Sequence, residues 1–148
     1  MKSPFIAISI WLTVASIVSC GKSDIDSVPD LNQIENVQWR LTAFDTLGGG
    51  TLNLELADTV FLFFGETRVA RGRSYGLCRN YYEGVYILAG GNLVRFDSLR
   101  STEAACSSSR YWDYFNQLGK VNSYQLKGSW LYLYYDGNTH SLVFDKAD

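Results

Sequence analysis

The chain has 148 residues, of which 47% are apolar and 15% aromatic, which suffices for one modest core but not for two domains. Thirteen Lys and Arg against fifteen Asp and Glu leave a net charge of −2, without the cationic surplus that a nucleic-acid partner requires. One His and three Cys exclude a multi-ligand metal centre built from those residues alone.

The chain opens with Lys2 and an apolar run from Phe5 to Val18, broken only by Ser9, Thr13 and Ser16. That run is shorter than the roughly 20 residues that span a bilayer, and it fits a secretory signal. It ends in Ile17-Val18-Ser19-Cys20-Gly21, which resembles the lipobox of bacterial lipoproteins. The resemblance implies cleavage before Cys20, diacylglycerol on its thiol and a fatty acyl group such as palmitate on its new amino terminus. An ordinary secretory signal with a chance Cys is the alternative. Residues 1–19 are thus expected to be removed. Residues 20–35, with Lys22 against Asp24, Asp26, Asp30 and Glu35, form a solvated acylated tether, and residues 36–148 the domain. The expected address is the bacterial cell envelope, lipid-anchored in the outer membrane.

From Asn36 to Phe144 there is no proline, and short apolar runs alternate with Gly, Asn and Asp. That pattern predicts strands and hairpins. Val37 to Leu41 and Leu52 to Leu56 alternate with period two. Val60 to Phe64 is apolar on both faces and predicts a central strand covered on both sides. Thr67 to Arg73 reads as its more exposed partner. Gly84 to Leu88 and Leu93 to Phe96 flank Ala89-Gly90-Gly91-Asn92 as a hairpin. Trp130 to Tyr135 and Ser141 to Phe144 flank Asp136-Gly137-Asn138 as another, Asp-Gly being favoured in tight turns.

One helix interrupts the strands. Tyr111, Trp112, Phe115 and Leu118 share a helical face, with Ser108 or Ser109 as N-cap and Gly119 as C-cap. A short turn is expected through Thr102 to Ala105. The order predicts an α+β, mainly β fold: a strongly bent antiparallel sheet or open, cracked barrel with one helix packed against it.

From Gly76 onward the chain resembles the META domain, the family of the HslJ-like heat-shock lipoproteins. The matching residues are Asn80-Tyr81-Tyr82-Glu83-Gly84-Val85-Tyr86, Leu93, Thr102-Glu103-Ala104-Ala105-Cys106, Phe115, Leu118, Val121, Tyr124 and Gly128-Ser129-Trp130-Leu131-Tyr132-Leu133. Trp39 and Leu41 match the family's opening Trp-x-Leu, and Leu142 and Phe144 its closing Leu-x-Phe. One departure is the spacing Gly76-Leu77-Cys78-Arg79-Asn80, where the family has Cys and Asn adjacent. A one-residue insertion in a strand turns a side chain to the other face unless a bulge absorbs it. The resemblance implies no enzymatic chemistry and a loose link to stress, drug resistance and secretion. It is also similar in fold to secretin pilot lipoproteins, which hold a lipid in a cracked barrel. The implied role is a module that binds a lipid, glycan or envelope protein. An assembly factor for an outer-membrane complex is the alternative, and a hydrolase a more distant one.

The residues offer few chemical groups. With Cys20 lipidated, Cys78 and Cys106 remain as a disulfide pair in an exported protein, or as two buried thiols. A bridge would close a loop of about 29 residues, worth roughly 3–4 kcal/mol. His140 stands beside a turn without a nucleophile motif, and Glu66, Glu83, Glu103 and Asp113 are scattered. No catalytic set, metal site or cofactor site is expected. Arg71 and Arg73 share a strand face fit for anionic headgroups or an acidic partner, or simply for solvent. Tyr81 and Tyr82 near the first hairpin, and Trp130, Tyr132 and Tyr134 on one strand face, are the aromatic candidates for a binding surface. Cross-strand packing under the helix is their alternative.

Overall fold

The computed structural model describes residues 33–54, 59–76, 78–104 and 110–147. The expected signal, Cys20 and most of the tether lie outside the described residues, as do Cys106, Ser108 and Ser109. The elements run β1 (Gln38–Thr46), β2 (Gly50–Asn53), β3 (Val60–Phe64), β4 (Val69–Ser74), β5 (Tyr81–Ala89) and β6 (Leu93–Ser101). They continue with α1 (Arg110–Leu118), β7 (Ser123–Lys127), β8 (Trp130–Tyr135) and β9 (His140–Lys146).

Every pair of neighbouring strands is antiparallel, and from β3 to β9 each strand pairs with the next in sequence. β9 then pairs with β1 from Trp39↔Lys146 to Thr46↔His140, so the sheet returns on itself as a ring. Closure pairs the strand edges that an open sheet would leave bare. β2 and β3 lie on the same side of β1, β3 opposite Gln38 to Arg40 and β2 opposite Ala43 to Thr46. They act as two halves of one interrupted strand.

The ring is uneven. β6 and β7 share the single registered pair Leu93↔Ser123, supported by Val94 N–H to Asn122 O (3.2 Å) and Tyr124 N–H to Asn92 O (2.8 Å). Beyond that point the strands part, and α1, which connects them, supplies Tyr111, Tyr114 and Leu118 to the core. This is the bent, helix-plugged sheet expected from the order of elements.

Alternation decides which side chains fill the ring. On β5, Tyr82 and Tyr86 are buried while Tyr81, Glu83 and Val85 are exposed; on β8, Leu131, Leu133 and Tyr135 are buried. Trp39, Phe64, Phe96, Leu118 and Phe144 complete the core. Both expected hairpins form, β5–β6 and β8–β9. The second closes through Asp136, Gly137 and Asn138, all with positive φ (49°, 69° and 65°), and Thr139 Oγ1 donates to Asp136 O at 2.7 Å. Asp and Asn tolerate that conformation best after glycine.

Several expectations need correction. β3 is covered on one face only: Val60, Leu62 and Phe64 are buried, but Phe61 is half-buried and Phe63 exposed, because a ring with a single helix has nothing to lay over its outer face. The buried helix face includes Tyr114, while Trp112 and Phe115 are only partly buried, since the groove admits the i, i+3, i+7 row. Gly119 does directly follow the helix, at the expected C-cap position, but residues 102–104 form no turn. The fold also begins before Asn36, because Ile34 is buried and Glu35 pairs with Phe64 in a parallel bridge.

Candidate functional site

The centre of the ring is a hydrogen-bonded aromatic joint. The Tyr82 hydroxyl donates to Phe61 O at 2.8 Å and is paired with the Tyr114 hydroxyl, and the Tyr114 ring meets Phe144 edge-on at 6.3 Å. The helix is thereby fastened to β5 and β9 at once. Burial pushes both phenols well above the ordinary tyrosine range. Tyr82 fits because β4 carries glycine beside it: a Cβ on Gly72 would lie 2.1 Å from the Tyr82 ring. Tyr82, expected with Tyr81 on a binding surface, is buried instead, because the strand period turns it inward and Tyr81 outward. Phe64 packs edge-on against Tyr86 at 5.0 Å and tilted against Phe96 at 5.8 Å, so aromatic rings occupy the lumen.

One end of the ring is closed by the entering chain. Ile34 O accepts the Trp39 indole N–H at 3.1 Å, and Glu35 Oε1 accepts the Tyr86 hydroxyl at 2.6 Å while pairing with Arg68 at 3.1 Å. The same Tyr86 O–H is shared with Gly65 O at 2.7 Å, and the phenol is pushed up by burial first and by the Glu35 hydrogen bond second. The segment leading toward the expected anchor is thus locked onto the β3–β4 turn. Nothing in the local sequence marks this latch, because its partners are 33 and 51 residues from Glu35.

The outer face of β3, β4 and β5 gathers several of the predicted residues. Register places Phe61, Arg73 and Tyr81 in one cross-strand row and Phe63, Arg71, Glu83 and Arg100 in the next. Arg71 and Arg73 are exposed, as expected, and a depression of about 210 Å³ lies between them, Phe61, Phe63 and Tyr81. Arg73 stacks over Tyr75 at 4.8 Å, and Tyr75 meets Phe61 edge-on at 5.7 Å. Sequence reasoning missed Phe61 and Phe63. The run Val60 to Phe64 gives no phase, and only the register of β4 shows which two phenylalanines face the arginines.

Trp130, Tyr132 and Tyr134 line the outer side of β8, not a face packed under the helix. Tyr132 and Tyr134 stack at 6.3 Å, Lys127 sits 4.9 Å over Tyr132, and Tyr134 donates to Gln125 Oε1 at 3.1 Å. Trp130 is 42% exposed and borders a depression of about 250 Å³ with Asp45, Thr51 and Asn53. This ladder is partly satisfied by its own neighbours, which makes it a less open surface than the arginine face.

Cys78 is buried in the loop before β5. The loop is held by Ser74, whose Oγ donates to Cys78 O at 2.9 Å and accepts the Asn80 N–H at 3.1 Å. Buried Asn80 in turn accepts Thr102 Oγ1–H at 3.1 Å and Ala104 N–H at 2.8 Å, tying the loop to the segment that leads to Cys106. His140 stacks on Tyr135 at 5.4 Å and hydrogen-bonds Thr139 at 2.8 Å. Glu66 accepts the Asn36 side-chain N–H at 3.1 Å, and Glu83 stands between two arginine-bearing strands. Among the described residues no group of three or more His, Cys, Asp or Glu could hold a metal ion.

The META domain model matches residues 32–148. Three solved structures are similar. A protein from Burkholderia xenovorans, solved by NMR, is 25% identical with a TM-score of 0.62, covering 77% of this chain and 83% of that one. A DUF4847 family protein from Bacteroides vulgatus, solved by crystallography, shares 14% identity with a TM-score of 0.57 over 79% of this chain and 98% of its own. A further NMR structure, 18% identical, has a TM-score of 0.57 over 79% and 94%. No curated protein matches. The last two likenesses concern the fold alone; the family match spans the whole ring, from the latch at Ile34 to the end of β9, and the chain therefore belongs to the META domain family.

Proposed function

We propose that this chain is a non-enzymatic cell-envelope lipoprotein whose META domain binds a lipid, glycan or protein partner through its outer surface. The observation that carries this reading is the contrast between the two sides of the ring. The lumen is occupied by Tyr82, Tyr86, Tyr114, Phe64 and Phe96, whereas the outer face of β3–β5 leaves aromatic and arginine side chains in solvent. A lipid held inside the barrel, as the resemblance to pilot lipoproteins suggests, finds its space already filled. His140, the first residue of β9, is engaged by Tyr135 and Thr139, which favours binding over hydrolysis.

The anchor rests on the lipobox-like sequence at Cys20, and the disulfide on export. Supporting a Cys78–Cys106 bridge, Cys78 is a buried half-cystine, and the Asn80 hydrogen bonds draw the chain before Cys106 toward it. Fractionation tests the anchor. Wild-type protein is expected with the membranes, and Cys20→Ala in the soluble envelope fraction. A processed Cys20→Ala protein that stays with the membranes would refute acylation at that residue.

A further inference from the structure

We infer that the outer face of β3–β4–β5, continued onto β6, is a docking surface for anionic phospholipid, which lays the domain against the membrane that holds it. This rests on the proposed lipid anchor for its setting but not for its chemistry. Five arginines, Arg71, Arg73, Arg79, Arg95 and Arg100, are exposed on this side of the ring, with Glu83 and Asp97 as the carboxylates on the same strands. The chain as a whole carries a net −2, so the cationic excess here is local. Among the described residues the ion pairs are Arg40–Asp145 and Arg68–Glu35, and neither uses a face arginine.

Apolar side chains stand between the arginines. Phe63, Tyr81, Val85 and Ile87 are each between 36% and 45% exposed on the same outward positions. Cationic side chains around aromatic and aliphatic ones suit a headgroup layer, where arginines meet phosphates and apolar groups reach the acyl boundary. The charges lie on β4 and β6, which flank β5 and so stand about 10 Å apart, and on the loop before β5, a two-dimensional array. A lattice of headgroups offers charge across such an array, whereas an extended acidic peptide offers it along one row.

The place where the chain enters favours the membrane as the partner. Glu35 is locked to Arg68 and Phe64 on β3 and the β3–β4 turn, the strands that carry the face. The stretch of chain from Cys20 to Gln33 reaches at most about 45 Å when extended. The acyl chains are therefore held within about 45 Å of one end of the arginine face, which keeps a polyanionic bilayer within its reach.

Hydroxyl-radical footprinting of the full protein on vesicles tests this. The vesicles are phosphatidylcholine alone, or phosphatidylcholine with about 30% phosphatidylglycerol. Anionic vesicles are expected to lower oxidation of Phe63, Tyr81 and Ile87 by about three-fold or more relative to neutral ones, with Trp130 unchanged, and high salt to reverse it. Arg71→Gln with Arg73→Gln should return the footprint to that on neutral vesicles while leaving the thermal midpoint in place. Equal footprints on both vesicle types would overturn the inference. So would protection of the face only when membrane proteins are added, which would reassign it to an acidic protein. If the chain carries no acyl group it will not float with neutral vesicles, and the anchor reading fails by itself. The face must still bind the anionic vesicles at low salt, and its failure to do so overturns the docking surface separately.

Discussion

Alanine at Gly72 would force the joint at the centre of the ring to open. The new Cβ would lie 2.1 Å from both Cζ and Oη of Tyr82 and 2.2 Å from Phe61 O. Ordinary contact begins at 3.4 Å, so the Tyr82 ring must retreat by about 1.3 Å, while Phe61 O, being backbone, yields only if β3 and β4 separate. Overpacking of this kind costs about 1–3 kcal/mol. The retreat also pulls the Tyr82 hydroxyl from Phe61 O and Tyr114, leaving buried polar groups without partners at about 1–3 kcal/mol. The expected loss is about 4 kcal/mol, a large share of the roughly 5–15 kcal/mol that stabilises a domain of this size. Urea unfolding followed by tryptophan fluorescence should show it as a midpoint lower by about 2 M. Gly90→Ala, where an added Cβ meets nothing within 4 Å, is the control and should stay within about 0.5 kcal/mol of wild type. Tyr82→Phe should cost less in the Gly72→Ala background than in wild type, since the hydroxyl is already displaced. A Gly72→Ala protein within about 1 kcal/mol of wild type would refute the reasoning.

Alkali should unfold the domain. The Tyr82 and Tyr114 phenols ionise at higher pH in the fold than in the unfolded chain, so their stabilisation is complete below about pH 10 and is lost as pH rises above it toward their folded values. Two such groups give a slope of about 2.7 kcal/mol per pH unit, read as urea midpoints measured between pH 9 and about 11.5; a flat profile would contradict their burial. Asn80→Ala removes the acceptor for Thr102 Oγ1 and Ala104 N–H and should cost about 2 kcal/mol by thermal or urea unfolding. Glu35→Ala should raise amide exchange at Asn36 about ten-fold by loosening the latch, with the global midpoint changing little. Reduction of the proposed Cys78–Cys106 bridge should lower stability by about 3–4 kcal/mol, with two newly alkylated thiols seen by mass spectrometry.

Much of the fold is legible in the sequence because its signals are local. Asp136-Gly137-Asn138 marks its own turn, the alternation of Trp130 to Tyr135 fixes which residues of β8 share a face, and the aromatic run at 111–118 marks the helix. What depends on register is not local. Val60 to Phe64 looks covered on both sides, and only pairing with β4 shows Phe61 and Phe63 standing outside beside Arg73 and Arg71. Tyr81 and Tyr82 are adjacent and chemically alike, yet one strand period sends one to solvent and the other to the centre of the ring. The family motif drew attention to Asn80, and hydrogen bonding explains that position: one buried amide oxygen holds a loop and a segment more than 20 residues away. Gly72 carries no sequence signal at all; its role exists only once Tyr82 crosses it.

The most direct test of the whole account is a native mass spectrum of the protein taken from the membranes of the cell that makes it. The expected spectrum is that of a chain that begins at Cys20, carries covalent acyl groups, lacks the two hydrogens of a reduced Cys78–Cys106 pair, and releases any bound lipid or glycan before the domain unfolds. An unacylated chain would contradict the anchor. A lipid-sized mass that stays until unfolding would place the ligand in the lumen and contradict a ring already filled by its own aromatic side chains.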